Sequence, residues 1–176
     1  MHPFLHPPTL HDDQISLIPL EAGDFEVLFA QAADPLVWEQ HPNPNRYKRE
    51  EFTKFFAGAM DPEVASYKII LKETGEVIGS SRFYGYQADL SCVNIGYTFY
   101  GRAFWGKGYN PRAKALMLDY AFQHVNTVEF HVGACNIRSQ IAMERLGAVK
   151  VGERLVAYVG ELNSMNFLYQ LQRSAS

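Results

Sequence analysis

Apolar positions along this chain switch between strand-like and helix-like spacing, and the switches mark its elements. Ile15 to Leu20 reads as a first strand. Asp24 then offers an N-cap ahead of a stripe formed by Phe25, Leu28 and Phe29, which predicts a helix. Asp34-Pro35 ends or bends it, because a residue before proline is steered away from helical geometry. His41 to Asn45, with two prolines, is a loop. Glu50 to Met60 predicts a second helix with Phe52, Phe55, Phe56 and Met60 on one side. Ser66 to Lys72 and Glu76 to Tyr84 read as strands flanking a Glu73-Thr74-Gly75 turn, and Ser91 to Tyr100 adds a third strand to this meander.

Downstream, a helix from about Pro111 to His124 buries Ala113, Leu116, Met117, Tyr120 and Ala121. Asn110 is its expected cap and Pro111 its first residue, where the missing N–H has no partner to lose. Val128 to Gly133 is a strand, and Asn136 opens a helix through Leu146 that Gly147 terminates. Lys150 to Val159 and Met165 to Leu171 close the sheet as an antiparallel pair. Strand 91–100, helix 111–124 and strand 128–133 form a βαβ crossover, so those strands run parallel. The fold class is α/β with a mixed sheet. Cys92 and Cys135 then fall at opposite ends of that sheet, beyond the roughly 7 Å Cα separation that a disulfide tolerates.

Composition narrows the class. The 176 residues fit one domain over residues 14–172, behind an extended arm at 1–13. Apolar content is 47% and charged content 20%, ordinary for a globular protein. A net charge of −3 gives no general attraction for nucleic acid, and no apolar run approaches a membrane span. The first residues lack the basic start and apolar core of a secretory signal, and two unpaired thiols suit a reducing compartment; the expectation is the cytoplasm. His2, His6 and His11 lie in the proline-containing leader without a second ligand cluster, so an exposed arm is favoured over a metal site, and no metal is expected.

The chemistry concentrates where the third strand breaks into Trp105-Gly106-Lys107-Gly108-Tyr109-Asn110. Strand, glycine turn and helix start together hold a phosphate: glycines admit close backbone approach, free N–H groups face the anion, and a lysine adds charge. The turn lacks the Ser or Thr that follows the lysine of a P-loop and the third glycine of a dinucleotide fingerprint.

This turn resembles the acyl-CoA pyrophosphate loop of the GNAT N-acetyltransferase superfamily, usually written [QR]-x-x-G-x-[GA]. Asn136-Ile137-Arg138-Ser139, followed by Ala142 to Ala148, resembles that superfamily's second hallmark, and Leu17 to Glu21 with Asp24 resembles its opening. The likeness runs over about residues 14–172 and is nearest to the branch that acetylates ribosomal-protein N-termini. It implies a meander joined to the βαβ unit, with the strands ending near Phe99-Tyr100 and Val132 splayed apart. The pantetheine arm of acetyl-CoA would lie in that gap like an added strand. Residues Gly106 to Asn110 would bind the pyrophosphate, Asn136 would hold a pantetheine amide, and Lys107 and Arg112 would either meet phosphates or stay solvated.

Departures from the pattern redirect the catalytic assignment. Trp105 stands where the family has Gln or Arg, and Asn110 where it has Gly or Ala. Asn94 takes the place of a common glutamate base, Met143 that of a general-acid tyrosine, and Ala157 that of a glutamate used by the N-terminal-acetylating branch. Ser139 matches that branch's serine, as a donor to the leaving thiolate or as a small packing residue. A neutral amine attacks a thioester without covalent help from the protein, so positioning, N–H groups for the oxyanion and one proton route suffice. The histidines that titrate near neutrality are His41, in the loop over the acceptor end, and His131, on the strand beside the cleft; each is either the base or an ordinary structural histidine. Trp38, Arg82 and Asn94 are candidates for contacting the acceptor, against packing, a surface ion pair and strand orientation.

The sequence therefore predicts an acetyl-CoA-dependent N-acetyltransferase using direct transfer to a primary amine, either a peptide N-terminus or a small molecule. The rivals are a CoA-binding module without turnover and a transferase for another acyl donor. The oligomeric state stays open, a homodimer included.

Overall fold

The computed structural model describes residues 2–156 and 164–174. Its β-branched and aromatic runs become eight strands: β1 (Leu10–His11), β2 (Ile15–Pro19), β3 (Ala65–Leu71), β4 (Val77–Gln87), β5 (Cys92–Tyr100), β6 (Thr127–Gly133), β7 (Val149–Val156) and β8 (Ser164–Gln172). They form one sheet in the order β1-β2-β3-β4-β5-β6-β8-β7, in which β5 and β6 are parallel and the other neighbours antiparallel. The helices are α1 (Phe25–Ala32), α2 (Pro35–Trp38), α3 (Arg49–Ala59), α4 (Tyr109–Ala121) and α5 (Ile137–Leu146).

Alternation along the strands supplies two cores. Val77 and Phe99 pack with Leu28, Trp38, Phe52, Phe55 and Phe56 of α1–α3. Ile78 and Tyr100, their chain neighbours, pack with Ala113, Met117 and Ala121 of α4 and Met143 of α5. Each large apolar side chain fully removed from water contributes about 1.5–3 kcal/mol, so the two faces pin the helices on which the site depends.

Two features shape the middle of the sheet. β5 and β6 pair only at Cys92–Thr127, Val93–Val128 and Asn94–Glu129, and beyond that point they diverge. On its other side β5 carries a bulge: pairing with β4 shifts between Ser80 and Arg82, and Tyr97 takes φ 52°. The extra residue flips the alternation, so Ile95 and Tyr100 both reach the α4 core.

Three expectations are corrected, and one falls outside the described residues. The N-terminal arm is docked rather than exposed. Phe4 is 2% exposed and lies against Phe83, Tyr86 and Tyr120, β1 pairs with β2, and the hydroxyls of Tyr67 and Tyr120 donate to the carbonyls of Pro8 and Pro3. Second, α4 begins at Tyr109, capped by Gly108 at φ 81°, instead of at Asn110-Pro111. Pro111 is its third residue, still among the N–H positions without intrahelical partners. Third, Asp24 stands at the start of α1 but accepts from the Glu21 N–H and pairs with Lys68 at 2.7 Å. Finally, β7 is described to Val156; the expected strand end at Val159, and Ala157, lie outside the described residues. Cys92 and Cys135 are both free. Among the described residues no helix is long and apolar enough to cross a membrane.

Candidate active site

The turn between β5 and α4 has a backbone form that can receive an anion. Gly106 and Gly108 both adopt positive φ, 71° and 81°, which a side chain would strain. No side chain caps the α4 N-terminus, so its first N–H groups stay available to an anion. Trp105 Nε1 donates to the Tyr100 carbonyl at 3.0 Å and fixes the turn against β5. Lys107 is exposed, with Nζ 5.7 Å from the Phe104 ring centre. Arg112, left open between a phosphate contact and a solvated surface cation, pairs with Asp12 at 2.7 Å and Asp13 at 2.8 Å.

Where β5 and β6 part, a cavity of about 850 Å³ opens. It runs from Gly106, Gly108, Tyr109 and Asn110, past Phe99 and Tyr100, to Asn136, Ser139 and His131. The Asn136 side-chain oxygen accepts the Ser139 N–H at 3.2 Å and starts α5. That holds the Ser139 hydroxyl at the cavity wall with no protein partner among the described residues. Tyr97 and Thr98, at the bulge, also line it and have no register partner on β4.

His131 is joined by a residue the sequence hides. Its Nε2 lies 2.8 Å from Glu129 Oε1, and Gln170 Nε2 donates to Glu129 Oε2 at 2.9 Å. Burial pushes the Glu129 carboxyl up, but the hydrogen bonds from Gln170 and His131 outweigh it and hold the group below its usual range. Glu129 thus stays ionised and orients the imidazole. In the sequence it reads as a solvated strand position; its two-residue spacing from His131, which puts both on one strand face, is the signal that links them.

His41 lines the same cavity but is disfavoured as the base. Its surface is partly accessible, yet the ring is desolvated and lies near Arg46 and Arg138, and these together draw its pKa down to about 3. Three acceptor-contact expectations are also corrected, since none of these residues lines the cavity. Trp38 is fully buried, donating from Nε1 to the Ala32 carbonyl at 2.8 Å, and packs under His41 and Phe99. Arg82 is 3% exposed, donates to the Phe55 carbonyl at 3.2 Å and stacks over Tyr97 at 4.1 Å. Asn94 sits in the paired part of β5, with Nδ2 3.4 Å from the Gly85 carbonyl.

The residues present fit an acyl-CoA. Beyond Asn94, β5 has no strand paired on its β6 side among the described residues, and an extended amide chain can use that edge. Arg46, Lys114, Arg138 and Arg145 line the cavity, and no Asp or Glu does so among the described residues, which suits a polyanion.

Comparison with known proteins agrees. Residues 14–149 match the family model described as an acetyltransferase (GNAT) domain. An uncharacterised N-acetyltransferase p20 of Bacillus licheniformis is 29% identical over 123 residues, 67% of this chain and 68% of that protein. The same fold occurs in a GCN5-related N-acetyltransferase from Brucella melitensis, with TM-score 0.81 and 19% identity over 95% of this chain and 79% of that one. It recurs in the spermidine N-acetyltransferase of Vibrio cholerae, solved with CoA and spermine, with TM-score 0.69 and 16% identity over 90% and 95% of the two chains. The glycine turn and the split sheet thus have their counterpart in a known lineage: this chain belongs to the GNAT acetyltransferases, acetyl-CoA-dependent enzymes that pass acetyl to an amine.

Proposed function

We propose that the chain acetylates a primary amine, a peptide N-terminus or a small molecule, by direct attack within a ternary complex. One observation carries this reading: a single cavity joins the glycine turn, the gap between β5 and β6, Ser139 and His131, and Glu129 holds that histidine from outside the cavity lining. Both reactants fit side by side, and no covalent relay is required. Acetyl-CoA, when bound, supplies an activated thioester.

The chain's own groups have five tasks in this reading. N–H groups at residues 106–110 hold the pyrophosphate, and Asn136 stands beside the pantetheine path. The bulge at Tyr97-Thr98 offers backbone donors for the oxyanion. The free nitrogen of His131, oriented by Glu129, takes a proton from the bound acceptor ammonium, directly or through one water, and so frees the neutral amine that attacks. The Ser139 hydroxyl donates to the departing thiolate.

Initial rates at varied acetyl-CoA and amine test the ternary complex. Intersecting double-reciprocal lines are expected; parallel lines, the mark of a covalent acetyl-enzyme, would contradict direct attack.

A further inference from the structure

A buried cation of the cavity has no task in that mechanism. Lys114, in the second turn of α4, is 5% exposed and lines the cavity. Its Nζ donates to Thr98 Oγ1 at 2.7 Å and lies 3.4 Å from Ser81 Oγ, and the two hydroxyls are 2.8 Å apart. Thr98 and Ser81 are the facing residues of the bulge: β4 pairing passes from Ser80–Phe99 to Arg82–Gly96, leaving Ser81 opposite Tyr97 and Thr98. One ammonium therefore clasps both sides of the irregularity, from the helix that begins at the cofactor turn.

We propose that Lys114 is a positioning residue for acyl transfer, fixing the β5 bulge relative to the α4 N-terminus so that the acyl carbonyl and the pyrophosphate are held at one spacing. This rests on the reading that the bulge receives the acyl carbonyl. A buried ammonium without a carboxylate is a poor choice for stability. Two hydroxyls are its only hydrogen-bond partners, no carboxylate pairs with it among the described residues, and burial alone draws its pKa down to about 7. A leucine or methionine would pack there at less cost. Groups that destabilise the fold in this way are expected where function requires them.

The test uses Lys114→Met, similar in length and free of charge, with Thr98→Val and the double variant. Lys114→Met should keep or raise the melting temperature, lower kcat at least tenfold and leave the KM for acetyl-CoA within about twofold. Thr98→Val should lower kcat as well, and the double variant should be no worse than the poorer single one, because both break one contact. Amide exchange at Tyr97 and Thr98 should quicken in Lys114→Met while Val93 and Asn94 stay protected. An unchanged kcat, a lost melting temperature in proportion to activity, or unchanged exchange at the bulge would each overturn the proposal. The exchange readout needs no turnover, so a wild-type chain that transfers nothing to any amine would overturn the reading above while the bulge contact is still judged on its own.

Discussion

At the scale of single residues, the two positive-φ glycines of the turn between β5 and α4 carry the first prediction. Gly106 and Gly108 announce their task because positive φ beside a helix start has few other uses. Gly108→Asp would put a strained, negative side chain against the pyrophosphate, and calorimetry should show acetyl-CoA affinity reduced at least tenfold, about 1.4 kcal/mol. Ser139→Ala should lower kcat by about tenfold to a hundredfold with little change in KM, the size expected for losing a modest general acid; a kcat within twofold would leave Ser139 as packing. Glu129 and Lys114 escaped because a charged residue in a strand or helix usually marks the solvated face, and only the third dimension shows both turned inward. Glu129→Gln should lower kcat/KM and alter its pH profile together with His131→Gln, with no further loss in the double variant, since both act through one imidazole.

At the scale of elements, spacing predicted most strands and helices, and the departures have local causes. The α4 start moved to Gly108 because a glycine can take the left-handed cap conformation that Asn110 need not adopt. The N-terminal arm looked loose because prolines interrupt any period, yet Phe4 fills a pocket of aromatic rings. Phe4→Ala should therefore cost about 3–5 kcal/mol in denaturant unfolding, as for other buried phenylalanines; a loss below 1 kcal/mol would mean the arm is dispensable. The α2–α3 loop carries a pH signature. His41 titrates near 6.5 when unfolded and near 3 when folded, so the unfolded chain binds more protons between those values. Stability that is full above pH 6.5 should then fall as the pH drops toward 3, and His41→Asn should flatten that slope.

At the scale of the whole molecule, the mixed sheet and its parallel β5–β6 pair follow from the βαβ order, since parallel strands need a crossover helix and that helix must begin at the turn, whereas the gap between them was expected only from the family resemblance. What the order leaves open is which side chains the gap collects. The bulge at Tyr97 and the pairing of His131 with Glu129 depend on registers that no periodicity encodes. Catalysis in this account belongs to the cavity as a unit: one end holds acetyl-CoA, the other presents an amine to His131. The most direct test is to follow CoA thiol release from acetyl-CoA with and without primary amines, with mass analysis of the acceptor, in wild type and His131→Gln. The account predicts amine-dependent release matched one-for-one by an N-acetylated product, depressed at least tenfold in His131→Gln. Tight acetyl-CoA binding with no amine-dependent release, or equal rates in the variant, would contradict it.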